Sequence, residues 1–391
     1  MSNMRVLISG ASVAGPALAH WLGRYGFEPT VVEIAPVPRS GGAAVDFRGE
    51  THLTVLERMG VLDRLRQVQT GGSPMTFVDE RGRTLLHLPE DFAGGELEVL
   101  RSDLSRVLRE HSAEHADYVF GDSVTGLTET PDGVDVTFAS GAERTFDLVI
   151  GADGIHSGVR GLAFGPEERF VSHLGYYVAT WDLPDDLGIP PEPRSYNVPG
   201  RLVSTTRAGG RASAFAIFKS PLLRYDRRDV DQQRRLLLDA FGGLGWETPR
   251  LLDALGRTTQ LYFDSISRAD VQPWSRGRVA LVGDAACGAT IGGMGTGTAV
   301  VGAYVLAGEL AAANGDHRTA FGRYEELMRD YARRCQRGGD RTGKFLAPAS
   351  AFGLRARNTL LSNKVLLAMM LRVGQDVSSR LDLPDYAAAT V

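Results

Sequence analysis

Residues 5–15 read Arg5-Val6-Leu7-Ile8-Ser9-Gly10-Ala11-Ser12-Val13-Ala14-Gly15, an apolar strand (Arg5–Ser9) running through a glycine turn toward a helix over Gly15–Tyr25. A second strand, Pro29–Glu33, follows and ends on an acidic residue. Strand-length apolar runs separated by glycines and a helix-length stretch predict a buried βαβ unit. Its spacing fits a dinucleotide fingerprint. Gly10 allows the tight turn and Gly15 lets the helix lie close on the strand. The helix start, reached through Ser12, Val13 and Ala14, offers free N–H groups and a partial positive charge to a pyrophosphate. Glu33 is spaced to accept hydrogen bonds from a ribose diol. Ser12 replaces the second glycine of the fingerprint, so its hydroxymethyl either crowds the phosphate or hydrogen-bonds it.

Two further motifs lie outward along the chain. Gly151-Ala152-Asp153-Gly154-Ile155-His156-Ser157 follows the strand Asp147–Gly151, with Arg160 just beyond. An aspartate and a glycine at the C-terminal end of a parallel strand face the ligand crevice of an open α/β sheet. The third motif is the strand Arg278–Val282, then Gly283-Asp284-Ala285-Ala286, then Gly292-Gly293-Met294-Gly295-Thr296-Gly297, then a long helix from about Thr298 to Ala313. A strand-end carboxylate accepts from a sugar-like hydroxyl. Close-spaced glycines let backbone N–H groups approach a planar ligand, and the helix points its positive end back at it.

The rest of the chain supplies a second layer. Thr51–Val68 reads as helical, and Met75–Asp79 with Thr84–Leu88 as a hairpin about Glu80–Gly82. An Arg101-led helix (Asp103–His111) and a hairpin about Pro131–Gly133 return to the first layer. Alternation in Gly175–Trp181, Leu202–Thr206, Ala212–Lys219 and Thr258–Phe263 predicts a twisted, mainly antiparallel sheet. Thr319–Ser379 reads as helical, with breaks at Gly338–Gly339 and Ala347–Ser350. The fold class is therefore α/β: a Rossmann-like unit in three pieces (1–70, 101–165, 273–335), an interleaved sheet unit (71–100, 166–272) and a helical C-terminal segment (336–391).

Composition narrows the function. The chain has 391 residues, 43% hydrophobic and 23% charged, which suits two adjoining cores. A formal net charge of -4 argues against a nucleic-acid surface. Cys287 and Cys335 are far apart and form neither a disulfide framework nor a zinc spacing. The first strand begins too early for an export signal, and Val365–Leu371 falls short of the roughly 18–20 apolar residues of a membrane span. A cytoplasmic enzyme without membrane or nucleic-acid partners is the expectation. The histidines are scattered, no metal ligands are assigned, Cys287 reads as a buried apolar group, and no side-chain acid or base is assigned.

The three motifs, in this order and over nearly the whole chain, resemble the class A flavoprotein monooxygenases of the p-hydroxybenzoate hydroxylase type. Ala303–Leu310 is similar to members acting on aromatic polyketides and tetracyclines. The resemblance implies an FAD cofactor, NAD(P)H as a transient reductant without a nicotinamide domain of its own, and oxygen delivery by a flavin C4a-hydroperoxide. The substrate would be a bulky aromatic or polyketide-like small molecule between sheet and flavin, in a monomer or homodimer. It further implies Glu33 on the adenosine ribose, Asp284 on the ribityl chain, Arg101 on the phosphates or ribityl region, and Arg39 at the cofactor. Asp153 would act through backbone and water, and Gly293, Met294, Gly295 and Thr296 would lie against the flavin. The chain departs from the pattern at Cys287 and Ile291, where the family carries an aromatic or His residue and a proline, and at Ile34, often Arg. A flavoenzyme without oxygen insertion and a non-catalytic ligand binder are the alternatives.

Overall fold

The computed structural model describes residues 4–38, 43–72, 74–93, 95–208, 210–258, 260–292, 294–363, 365–367 and 381–386. Val6–Ile8 and Leu148–Ile150 are buried throughout, as strands with both faces covered require. They lie in a six-stranded sheet of spatial order Ser275–Arg276, Val279–Leu281, Leu148–Gly151, Arg5–Ser9, Glu28–Glu33, Asp117–Phe120. All neighbours are parallel except the first pair. The helix Ala14–Arg24 packs between the helices Arg101–Ser112 and Gly295–Ala312. An antiparallel meander, Val124–Glu129, Val134–Phe138 and Glu143–Phe146, adds Val134, Val136, Phe138 and Phe146 to the same core.

The second layer is a seven-stranded sheet ordered Leu261–Ala269, Val171–Leu183, Arg211–Lys219, Arg201–Ala208, Arg194–Val198, Met75–Val78, Thr84–Leu88. Only the pairing of Arg194–Val198 with Met75–Val78 is parallel. Period-two alternation sends Tyr177, Ala179 and Trp181 to one face, and Tyr176 and Val178 to the other. The strand Leu97–Leu100 pairs instead with Ala44–Phe47 in a two-stranded ribbon.

Three local expectations change. Within the stretch read as sheet, Val230–Phe241 and Thr248–Arg257 are helices. They cover the Tyr177–Trp181 face with Leu237, Phe241, Leu251 and Leu255, and Trp181 Nε1 donates to Leu251 O at 3.1 Å. The last strand of that sheet accordingly begins at Leu261 rather than Thr258. The helix His317–Leu346 runs unbroken through Gly338–Gly339, because Gly338 serves close approach: a β-carbon there would stand 2.5 Å from Gly292 O. The expected break at Ala347–Ser350 is present, and a further helix, Ala351–Ser362, follows it. Its Arg357 stacks 4.1 Å over Phe77 and donates to Phe345 O and Leu346 O, fixing this helix on the sheet face opposite Trp181. No described helix is long and apolar enough to cross a membrane. The helical reading of 368–379, including the end of the apolar run, lies outside the described residues.

Two buried histidines in the first layer set a pH limit. His20 packs against His111 with ring centroids 4.5 Å apart, and neither of its ring nitrogens has a hydrogen-bond partner. Burial first, then His111, lowers its pKa to about 3. His52 touches Tyr331 OH at 2.7 Å, and burial, then Arg48, lowers it to about 4. Both folded values lie below the unfolded 6.5, so their contribution is complete above pH 6.5 and is lost as pH falls toward 4. Together they should remove about 2 kcal/mol of stability between pH 6.5 and 5.5. Urea midpoints measured across that interval should fall, and the slope should lessen in His20→Leu. An unchanged slope would contradict the assignment.

Candidate cofactor site at the strand ends

The three motifs meet at the C-terminal ends of Arg5–Ser9, Leu148–Gly151 and Val279–Leu281. Gly10 takes φ +109°, and its N–H donates to Val32 O at 2.7 Å. A β-carbon at Gly10 would stand 2.5 Å from Ala152 O and 2.9 Å from Asp153 Cα, so the first two motifs are in backbone contact. A β-carbon at Gly15 would overlap Gly10 O. Gly283, at φ +64°, fits between the methyl groups of Ala14 and Ala299, joining the third motif to the first. Small residues thus let two helix starts and three strand ends converge.

Asp284 occupies the middle of this convergence. Its Oδ1 lies where it would be 2.8 Å from a β-carbon at Gly295, against the first turn of the long helix. That helix begins at Gly295, not Thr298: Met294 is its N-cap in the left-handed region, and Thr298 N and Oγ1 each reach Met294 O at 3.0 Å. Gly295 and Thr296 are therefore first-turn residues, whose N–H groups have no acceptor within the helix. Asp284 Oδ1 is buried without a hydrogen-bond partner, and burial, opposed by Arg101, raises the pKa of the carboxyl. An unsatisfied buried oxygen of this kind costs about 1–3 kcal/mol or more, and a ligand hydroxyl removes that cost. A polyhydroxylated chain lying beside a helix N-terminus fits these donors and acceptors, and the ribityl diphosphate of FAD has that chemistry.

The remaining predicted residues are placed as follows. Glu33 accepts from Ala11 N at 2.9 Å and Ala35 N at 3.0 Å, so its carboxylate ties the glycine turn to the end of the second strand. Val13 and Ala14 are buried at the helix start. Ser12 Oγ accepts from Arg101 Nη2 at 3.3 Å, which brings Arg101 to the glycine turn, while Arg101 N donates to Ala43 O at 3.2 Å. Asp153 is engaged within its own motif. Its carboxylate accepts from Ser157 Oγ and, at 3.1 Å, from Val159 N, closing the start of the helix Gly158–Ala163. Arg39 and Gly293 lie outside the described residues.

Two participants were not assigned roles from sequence. Arg160 is fully buried and donates to Ala285 O at 3.0 Å and Ile155 O at 2.6 Å, tying the second motif to the third. His156 lies 3.0 Å from both Glu167 and Asp264, which joins the second motif to the edge strand of the sheet layer. Burial alone would lower its pKa, but the Asp264 and Glu167 hydrogen bonds outweigh burial and raise it to about 9. Cys287 is buried and its pKa is raised by burial and then by Asp284, so it remains a neutral thiol rather than a nucleophile.

Comparison with known proteins agrees with this geometry. The FAD binding domain family matches residues 3–181. The chain is 36% identical over 396 residues to a flavin-dependent monooxygenase of Legionella longbeachae serogroup 1 (strain NSW150), covering 99% of each. Among solved structures it is similar to tetracycline destructase Tet(51), with a TM-score of 0.86 and 31% identity over 98% of this chain and 100% of that one. Tetracycline destructase Tet(55) gives a TM-score of 0.84 and 33% identity over 99% and 100%. With near-complete coverage by such a relative, and with a strand-end site whose donors and acceptors suit FAD, this chain belongs to the class A, FAD-dependent flavin monooxygenases.

Proposed function

We propose that the enzyme takes electrons from NAD(P)H and oxygenates a bulky, aromatic or polyketide-like small molecule held between the seven-stranded sheet and the cofactor. The seven-stranded sheet, from Met75–Val78 and Thr84–Leu88 and from the strands between Val171 and Ala269, supplies the substrate side, without Leu97–Leu100. The observation carrying this reading is the meeting of the unsatisfied Asp284 carboxylate and the Gly295 helix start with the edge of that sheet. The loop after Asp284 lacks a proline, but Thr290 orders it: its hydroxyl donates to Ser265 O at 2.9 Å and accepts from Ser267 N at 3.0 Å. An ordered loop beside the cofactor favours exclusion of water from the site. The similarity to two proteins named tetracycline destructases supports a fused-ring substrate.

In this reading Gly10, Ser12, Val13, Ala14 and Gly15 present the helix start to the pyrophosphate, and Glu33 faces the adenosine ribose. Arg101 neutralises phosphate, and Asp284 accepts from the ribityl chain. Met294, Gly295 and Thr296 turn N–H donors and the positive helix end toward the ring system, favouring negative charge there. Bound FAD supplies the redox and oxygen chemistry. The chain orients it and shields it.

Anaerobic mixing of the FAD-loaded enzyme with NADPH or NADH should bleach the flavin, and air should restore it. Tetracycline turned over under labelled oxygen should yield a product carrying the label. Bleaching without label would leave a flavoenzyme that does not insert oxygen into this substrate, and no bleaching by either nicotinamide would reject the reductant. Asp284→Ala should weaken FAD binding about ten- to hundredfold, the loss expected for one charge-assisted hydrogen bond. Flavin-fluorescence titration measures it, and an unchanged Kd would remove Asp284 from the site.

A further inference from the structure

The strand Leu261–Ala269 is an edge of the seven-stranded sheet, and its outer side meets the loop that follows Asp284. Over its second half the two are joined. Thr290 N donates to Ser267 O at 3.0 Å, Ala269 N donates to Gly288 O at 2.9 Å, and Arg268 bridges to Ala289. This attachment fixes where the first half of the strand runs. Alternation sends Phe263 to the helix-covered face, where it stacks on Tyr177 at 5.4 Å, so Tyr262 stands on the opposite face with Ile266.

Tyr262 exposes 41% of its surface, and its hydroxyl has no hydrogen-bond partner among the described residues. The phenol lies within electrostatic reach of Asp264 and Tyr225 in its own layer, and also of Arg101 and Asp284 in the strand-end site. Ile291, in the loop after Asp284, packs against the cluster that contains Ile266, so the face that Tyr262 shares with Ile266 is the one turned toward the strand-end site. We infer that Tyr262 is a specificity-determining residue of the cleft between the two layers, meeting the bound ligand from the sheet side and donating a hydrogen bond to a phenolate, enolate or carbonyl oxygen of the substrate. The inference rests on the reading of the cleft as the substrate site.

The electrostatics favour a donor. Burial first and Asp264 next raise the phenol's pKa, with Arg101 opposing and Asp284 and Tyr225 adding to the rise. A phenol so placed stays protonated at neutral pH and donates rather than acting as a base. Asp264 itself is engaged by His156 and Ser265 N, which leaves the Tyr262 hydroxyl to the ligand.

Tyr262→Cys tests the position. Both natural cysteines are buried, so the introduced thiol is the one that reacts with a disulfide reagent. Labelling of the full chain stripped of FAD should be fast, and reloading FAD should slow it about tenfold or more. An unchanged rate overturns the inference. Tyr262→Phe tests the donor: in the FAD-loaded enzyme KM for tetracycline should rise about tenfold, with kcat and the Kd for FAD within about twofold of the parent. An unchanged KM overturns the donor role. If the parent enzyme leaves tetracycline untouched, the proposed substrate class fails, while protection of the thiol by FAD still decides whether Tyr262 faces the cleft.

Discussion

Arg160→Met is expected to cost about 3–5 kcal/mol of stability and to release FAD from whatever folded protein remains. The guanidinium is fully buried and donates to Ala285 O in the third motif and to Ile155 O in the second. It also lies 3.7 Å from Glu167, which is partly buried. Methionine would fill much of the volume but leave two carbonyls without donors and a carboxylate without one of its cations. Each such loss costs about 1–3 kcal/mol when water cannot enter. Arg160→Lys should recover little, because a single ammonium cannot span two carbonyls that a planar fork reaches together. Denaturant unfolding with bound flavin followed in parallel measures both effects. A variant within about 1 kcal/mol of the parent, still yellow, would show that the two motifs hold together without this tether.

The contrast between Gly10 and Arg160 explains what sequence made visible. The glycine turn is local: five strand residues, a turn that tolerates φ +109° at Gly10, and a helix start all fall within about twenty positions. Such a pattern identifies itself by spacing, and so did the strand-end position of Asp284. Arg160 has its partner 125 residues away, and nothing near it distinguishes a buried arginine from a solvated one. The helices Val230–Phe241 and Thr248–Arg257 did carry local signals, a capping Asp229 that accepts from Gln232 N and Pro249 in a first turn. In Val230–Phe241 the buried row is Gln233, Leu237 and Phe241, so one of its three inward positions is polar and the apolar stripe is short. Gly338 misled in the opposite direction, since a glycine pair inside a helix looks like a break until Gly292 is seen to press against it.

Because close approach and backbone freedom are separate reasons for a glycine, one substitution should act with opposite sign at two helical positions. Gly15→Ala places a β-carbon on Gly10 O, a backbone atom that is itself held by the Gly10 N–H bond to Val32 O. Neither partner can yield as a flexible side chain does. The helix Ala14–Arg24 must move off the strand, and its first-turn N–H groups move away from the pyrophosphate position. Destabilisation of about 3 kcal/mol and at least a hundredfold weaker FAD binding are expected. Gly322, within His317–Leu346, has nothing within 4 Å of the same added atom and no left-handed backbone. There alanine only restricts the unfolded chain and improves helix propensity, so Gly322→Ala should stabilise by about 0.5–1 kcal/mol with FAD affinity unchanged. Urea unfolding and flavin titration of the two variants side by side measure this difference. Equal effects at both sites would mean that the strand-to-helix contact at Gly15 does not position the cofactor.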